Sequence, residues 1–308
     1  MSALADRIEL ELASPAPDAV IALARSLADT ERDAAVLYYG STLRTGDLSG
    51  VLDFYRLTRG PHRRGLRGLV ERLLWPEVSY HEVDVAGRRL RAKVATMPLA
   101  TFRKAAEGRT LDTTIWARFV QPVQRVWAAD AACAGESAGV VAAAVRTAAR
   151  FAAALGPEQG APVDFWTALF KRTYAAEFRF ETTDRAQDIT AAAAERYAAI
   201  LAAAWAEAGV AFEPSGAGLK VLRRPQAGWG LRQLLGKPLN VARILKAAFT
   251  FEGAARYGAY KIERHTGVDL EVTAFRERHP FLAAPGAWLE LRRRQAEARR
   301  ARLSSPNS

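Results

Sequence analysis

The chain has 308 residues, half of them hydrophobic, which is enough to bury a sizeable core and to build two domains. Its single cysteine, Cys133, excludes an intramolecular disulfide framework and a cysteine-rich zinc site, and so points to a reducing compartment. The net charge of +11 is carried entirely by the C-terminal part: residues 1–219 hold 26 basic and 26 acidic residues, whereas residues 220–308 hold 18 and 7. That asymmetry calls for a polyanionic partner, either nucleic acid or an anionic membrane surface.

The N-terminus is acidic and lacks the apolar core of a signal peptide, and no apolar run approaches the roughly 18 residues of a membrane span. Residues 15–34 place Val20, Ile21, Leu23 and Leu27 at helical spacing, with Ser14 as a cap and Pro15 in the first turn. The β-prone run Val36-Leu37-Tyr38-Tyr39 then stops at Gly40-Ser41, a polar loop follows, and a second apolar run begins at Val51 with Asp53 inside it. This predicts strand, turn, strand. Gly40 lets a phosphate approach the backbone, Ser41 adds a hydroxyl beside exposed N–H groups, and Asp53 offers one carboxylate to a metal. Mg²⁺ joins carboxylate and phosphate oxygens in this way wherever a triphosphate is handled.

Beyond Asp53 comes a basic, breaker-rich loop, Thr58–Arg64, whose His62 reads as solvated rather than phosphate-bound, and then a helical stretch over residues 66–74. Residues 78–97 alternate in character and turn at Ala86-Gly87-Arg88, a β-hairpin signal. The alternation places Tyr80, Glu82 and Asp84 on one face of the first strand and Arg91 and Lys93 on one face of the second. Residues 99–130 read as helices broken near Gly108, and alanine-rich helices are expected at 137–155 and 189–208 with an aromatic core element, residues 165–180, between them. Phe212–Gly218 reads as a boundary or exposed loop. From Asn240 to Phe249, apolar residues alternate with Arg243 and Lys246 so as to form one apolar and one basic face, a pattern that suits either a membrane interface or packing within the chain. The arginine-rich tail after Pro285 reads as a charged helix or a frayed end.

The Gly-Ser turn followed by Asp53 is similar to the nucleotidyltransferase superfamily that includes DNA polymerase β, where two carboxylates one residue apart follow the turn. Here Asp53-Phe54-Tyr55 puts a phenol in the second place. Several stretches in order resemble one family more closely, the mitochondrial-type phosphatidate cytidylyltransferases of translocator assembly and maintenance. They are Tyr39-Gly40-Ser41 with Leu52-Asp53-Phe54, a hairpin bearing Tyr80 and Lys93, the segment Ala117-Arg118-Phe119-Val120-Gln121-Pro122-Val123, and Thr173-Tyr174-Ala175-Ala176-Glu177-Phe178-Arg179. The likeness spans residues 36–180, with a looser one at 240–267. It departs from the family's pattern at Gln121 for Lys, Ala176 for Gly and Glu177 for Asp, which bears on the substrate more than on the fold.

The resemblance implies an α+β fold: a nucleotidyltransferase domain with a small mixed sheet (1–125), a mainly helical or winged-helix-like domain (126–215) and a basic membrane-contacting region (216–308). It implies Mg²⁺-dependent transfer of CMP from CTP to phosphatidic acid, giving CDP-diacylglycerol and pyrophosphate in phospholipid synthesis. Asp53 and Lys93 would be catalytic, Tyr39, Gly40, Ser41 and Arg118 would bind nucleotide, and Arg243 and Lys246 would meet lipid. In the superfamily a later strand supplies a further carboxylate, so Glu82 or Asp84 would join Asp53 at the metal; the plainer reading of both is a solvent face of mixed charge. An anionic membrane surface is then the favoured polyanion over nucleic acid, with the protein cytoplasmic and peripheral on the inner face. Two other readings stay open: transfer to a soluble acceptor such as RNA or a small molecule, and a catalytically silent relative that only binds nucleotide or lipid.

Overall fold

A computed structural model describes residues 2–60, 65–176, 184–226 and 228–304. The elements run α1 (Ala3–Leu12), α2 (Asp18–Leu27), β1 (Asp33–Tyr39), α3 (Ser41–Thr45), β2 (Val51–Thr58), α4 (Gly65–Leu73), β3 (Glu77–Val85) and β4 (Arg88–Pro98). Next come α5 (Leu99–Ala106), α6 (Thr114–Phe119), β5 (Val123–Ala128), α7 (Ala131–Leu155), β6 (Gln159–Gly160), α8 (Pro162–Ala176), α9 (Asp184–Ala191) and α10 (Ala194–Glu207). The C-terminal part holds β7 (Phe212–Ser215), β8 (Gly218–Val221), α11 (Trp229–Thr250), α12 (Ala254–Thr266), α13 (Ala274–Arg278) and α14 (Pro280–Ser304). The class is α+β, as the sequence predicts.

The larger sheet has the order β3-β4-β2-β1-β5; only β2 and β4 run parallel, so it is mixed. Period-two alternation sorts its side chains onto two faces. Leu52, Phe54, Ala92 and Val94 face α2 through Val20, Leu23 and Ala24. Tyr39, Tyr55, Ala95 and Met97 face the helical layer. A second small sheet, β6-β8-β7, follows α7.

Alanine-rich α7 runs through the helical layer, and its small side chains let α1, α5, α6, α8 and α10 approach closely. It is the one helix among the described residues long and apolar enough to cross a bilayer, yet most of it is buried inside the protein. Trp166 Nε1 and Trp205 Nε1 donate to the Tyr197 and Ala149 carbonyls, so both indoles are buried without an orphaned N–H.

Several elements differ from the sequence reading. The polar loop after Gly40 closes into the one-turn helix α3, and α1, which carries no strong capping signal beyond Ser2, buries Leu4, Ile8 and Leu12. Residues 123–128 form strand β5 instead of helix: Pro122 lacks the N–H a continuing helix needs, and Val123 and Val126 suit an extended chain. The domain boundary expected at residue 125 therefore falls inside a strand paired with β1, and one buried cluster runs from Leu4 to Val221. The expected loop at 212–218 is the β7–β8 hairpin, turning at Gly216-Ala217. His62 and Glu177–Arg179 lie outside the described residues.

Candidate functional site

Strand register assembles the site floor. Tyr39 on β1 pairs with Asp53 on β2, Asp53 with Lys93 on β4, and Lys93 with Tyr80 on β3, so these four side chains form one row on one face. Gly40 ends β1 with φ 98° and ψ −160°, a conformation essentially confined to glycine. A Cβ there would lie 2.8 Å from Asp53 Oδ2. Glycine is thus required twice, by the backbone and by the carboxylate packed against it. Ser41 then opens α3, whose leading N–H groups have no partner within the helix.

Lys93 Nζ lies 2.8 Å from Asp53 Oδ1. The approach is an ion pair whose angles fall outside hydrogen bonding, so this buried oxygen keeps no directional donor. Tyr55, where a second carboxylate would stand, is packed edge-on against Phe119 with ring centroids 5.1 Å apart. Burial raises the pKa of its phenol, which stays neutral and receives a 3.3 Å hydrogen bond from Arg118 Nη1. The Arg118 guanidinium also lies 5.4 Å from the Tyr39 ring centre. Arg44 Nη1 donates to Gln121 Oε1 at 3.4 Å, so the position where the resembled family has lysine orients an arginine instead.

These groups line a polar cavity of about 380 Å³, within the usual range for small-molecule sites. Tyr39, Gly40, Ser41, Asp53, Lys93 and Arg118 all border it, together with Arg44, Gln121 and Tyr174. Its remaining wall comes from α12 through Tyr257, Tyr260, Lys261 and Arg264, which the sequence reading missed. Their spacing of i, i+3, i+4, i+7 was visible, but nothing local says that this face meets β3. Five cations and one carboxylate line the cavity among the described residues. A larger cavity, about 690 Å³, opens on the sheet's other face near Arg56 and His81. There Glu31, Glu71, Glu77 and Glu252 offset the arginines, and Arg56 is already held by Asp33 at 2.9 Å. Of these two cavities, the smaller is the one with a surplus of positive charge among the described residues.

Glu82 and Asp84 do not join Asp53. Glu82 accepts from Tyr80 Oη at 2.9 Å and from Arg91 Nε at 3.3 Å, and β4 with Lys93 stands between β3 and β2. Asp84 is exposed, 3.7 Å from Arg89. Both follow the plainer reading, a mixed-charge face. No group of three or more potential His, Cys, Asp or Glu metal ligands occurs among the described residues. Asp53 therefore fits a metal that arrives with a substrate's phosphates rather than one held by the chain alone, since Mg²⁺ commonly takes one or two carboxylates plus phosphate oxygens.

Arg243 and Lys246 also differ from expectation. Arg243 is ion-paired with buried Asp112 and its guanidinium lies 4.0 Å over the Trp75 ring. Lys246 donates to the Leu74 carbonyl at 2.8 Å, and burial lowers its pKa. The basic face of α11 is turned inward, and neither residue is available to a lipid. Arg243→Glu is expected to cost about 3–5 kcal/mol of stability, as breaking a buried ion pair does; urea unfolding would show the lowered midpoint.

Compared with models of known protein families and with curated proteins, the chain matches none.

Proposed function

We propose that the chain is a nucleotidyltransferase that moves CMP from CTP to the phosphate of phosphatidic acid, releasing pyrophosphate. The observation that carries the reading is the gathering of five cations and one half-buried carboxylate around the Gly40–Ser41 turn in a single polar cavity. Two negatively charged phosphate groups must be brought together in this reaction, and the charge surplus suits that task. CTP and phosphatidic acid themselves come from the resemblance in residues 36–180.

In the reaction an oxygen of the acceptor phosphate forms a bond to the α-phosphorus, the α–β bridging P–O bond breaks, and pyrophosphate leaves with the electron pair. A phosphomonoester has a second pKa of about 6, so the nucleophile is largely dianionic at neutral pH and no general base is required. That agrees with a site whose one carboxylate among the described residues is tied to a lysine. Gly40 and Ser41 would donate to the β- and γ-phosphates, while Arg44 and Arg118 would offset charge developing on the leaving group. Lys93 would hold Asp53 in place and neutralise the floor. Mg²⁺, bound by Asp53 and the nucleotide phosphates, would supply electrostatic stabilisation of the transferring group.

A lipid acceptor is favoured by the outer face of α11. Leu231, Leu234, Leu235, Val241, Leu245 and Phe249 are exposed along it at helical spacing, with Leu234 70% and Phe249 81% accessible. This apolar row lies within the segment that carries the whole net positive charge, a combination suited to an anionic bilayer surface. Substituting Leu234 and Leu245 by Gln is expected to weaken sedimentation with phosphatidate-containing vesicles by at least about tenfold, since each leucine loses part of the 1.5–3 kcal/mol of full burial. Unchanged partitioning would remove α11 from the membrane contact.

The reaction itself is tested by incubating the protein with each labelled nucleoside triphosphate, Mg²⁺, and either phosphatidate vesicles or RNA. Labelled CDP-diacylglycerol formed from CTP alone is expected. Label appearing in RNA would instead support the soluble-acceptor reading, and no transfer to either would support a binding protein.

A further inference from the structure

The C-terminal basic region is built into the cavity. At the edge of the larger sheet, Tyr80 N donates to the Glu252 carbonyl at 2.8 Å, and Glu252 pairs with Ser79 as a parallel bridge. The next residue, Gly253, has φ +80°, and a Cβ on it would lie 2.6 Å from the Tyr80 carbonyl oxygen. The chain can therefore turn from the sheet edge directly into α12. Two ring contacts hold that helix down: Tyr257 lies 5.4 Å from Tyr80, and the Arg91 guanidinium lies 4.5 Å over Tyr260. Tyr260 Oη in turn receives a 3.0 Å hydrogen bond from Arg264 Nη1.

With α12 fixed in this way, Lys261 and Arg264 line the same cavity as the cations Arg44 and Arg118. Neither makes an ion pair with a carboxylate among the described residues. Asp47 is the carboxylate that senses Arg264, and its pKa is lowered first by hydrogen bonds from Ser49. Asp53 lies on the floor, held by Lys93. The cations thus stand over different strands of the floor: α12 packs on Tyr80 and Arg91 of β3 and β4, whereas Arg118 lies by Tyr39 and Tyr55 of β1 and β2, and Arg264 is the α12 cation that comes near α3, its Nη1 3.6 Å from where a Cβ on Gly50 would lie.

We propose that Lys261 and Arg264 form the acceptor subsite, which holds the phosphomonoester dianion while the Gly40–Ser41 wall holds the nucleotide. The assignment rests on the nucleotidyl-transfer reading and specifies which residues hold its second substrate. It also gives part of the basic C-terminal region a role inside the site. The ligand chemistry is a phosphomonoester, whether presented on a lipid or free in solution.

The test uses the full chain with Lys261→Ala/Arg264→Ala, and Lys261→Arg as the conservative control. Both residues are exposed and their contacts within α12, Lys261 with the Tyr257 ring and Arg264 with Tyr260 Oη, are surface ones, so the unfolding midpoint should fall only slightly. In steady state the double variant is expected to raise KM for phosphatidate by roughly tenfold or more, the loss of charge-assisted contacts to a phosphate, while calorimetric Kd for CTP stays within about twofold. Lys261→Arg should retain most of the acceptor affinity. A matching loss of CTP affinity would assign α12 to the triphosphate and overturn the proposal, as would an unchanged KM for phosphatidate. Calorimetry with glycerol 3-phosphate separates the proposal from the reaction it rests on. If wild type binds glycerol 3-phosphate and the double variant does not, while no nucleotide is transferred to phosphatidate, the subsite stands and the reaction falls. If CMP transfer is observed but the double variant is unaffected, the reaction stands and the subsite falls. Affinity for vesicles but not for glycerol 3-phosphate, both lost in the double variant, would identify the lipid headgroup as the source of the phosphate.

Discussion

Asp53→Asn is expected to leave the fold intact and to lower the proposed CMP transfer by about 10²–10³-fold or more, the several kcal/mol that charge stabilisation of a transferring group contributes. The amide keeps the shape that packs against Gly40 but loses the negative charge. Lys93 would then stand in the floor without its partner, 2.8 Å from a neutral oxygen. Because the pair is only half-buried, the stability cost should be no more than about 1 kcal/mol. Turnover with labelled CTP and phosphatidate, read beside a urea unfolding curve, separates the two effects. A variant with lowered stability and normal turnover would make the Asp53–Lys93 pair a structural contact only.

How much of this site is legible in the sequence depends on distance along the chain. Gly40, Ser41 and Asp53 follow from one strand-turn-strand pattern, and Lys93 from the alternation of the next hairpin; register then brings Asp53 and Lys93 together. Tyr257, Tyr260, Lys261 and Arg264 lie 164–171 residues beyond Lys93. Their placement depends on Gly253 meeting the Tyr80 carbonyl, a contact with no local signature.

Helix α11 shows a different limit. Its spacing gives one apolar and one basic face, but spacing cannot say which face turns inward. Trp75 and Asp112, from two separate loops, provide a cation–π surface and a buried carboxylate, and these draw Arg243 in and leave the leucines outside. The expectation that Arg243 and Lys246 meet lipid had the amphipathic helix right and its orientation reversed. The same reversal leaves the exposed leucines, rather than the cations, as the membrane-contact candidates.

Gly40→Ala should damage the site by a route that Asp53→Asn does not use. With φ 98° and ψ −160°, an alanine at position 40 would either hold a strained backbone, at about 1–3 kcal/mol, or move the turn. Its Cβ would also press on Asp53 Oδ2 from 2.8 Å, and Asp53 has little room to retreat because Lys93 holds its other oxygen. Strain and displacement act on the same few atoms, so turnover should fall by about 10²-fold or more, as misplacing reacting groups by an ångström does. Gly87→Ala provides the comparison. That residue also has positive φ, +78°, but sits in the β3–β4 turn with nothing within 4 Å of an added Cβ. It should lose about 1–2 kcal/mol of stability for the left-handed backbone and keep its turnover. If both variants lost stability and activity in the same proportion, Gly40 would be a turn residue and no more; if only Gly40→Ala lost activity beyond its loss of stability, the close approach of Gly40 to Asp53 would be part of how the site is built.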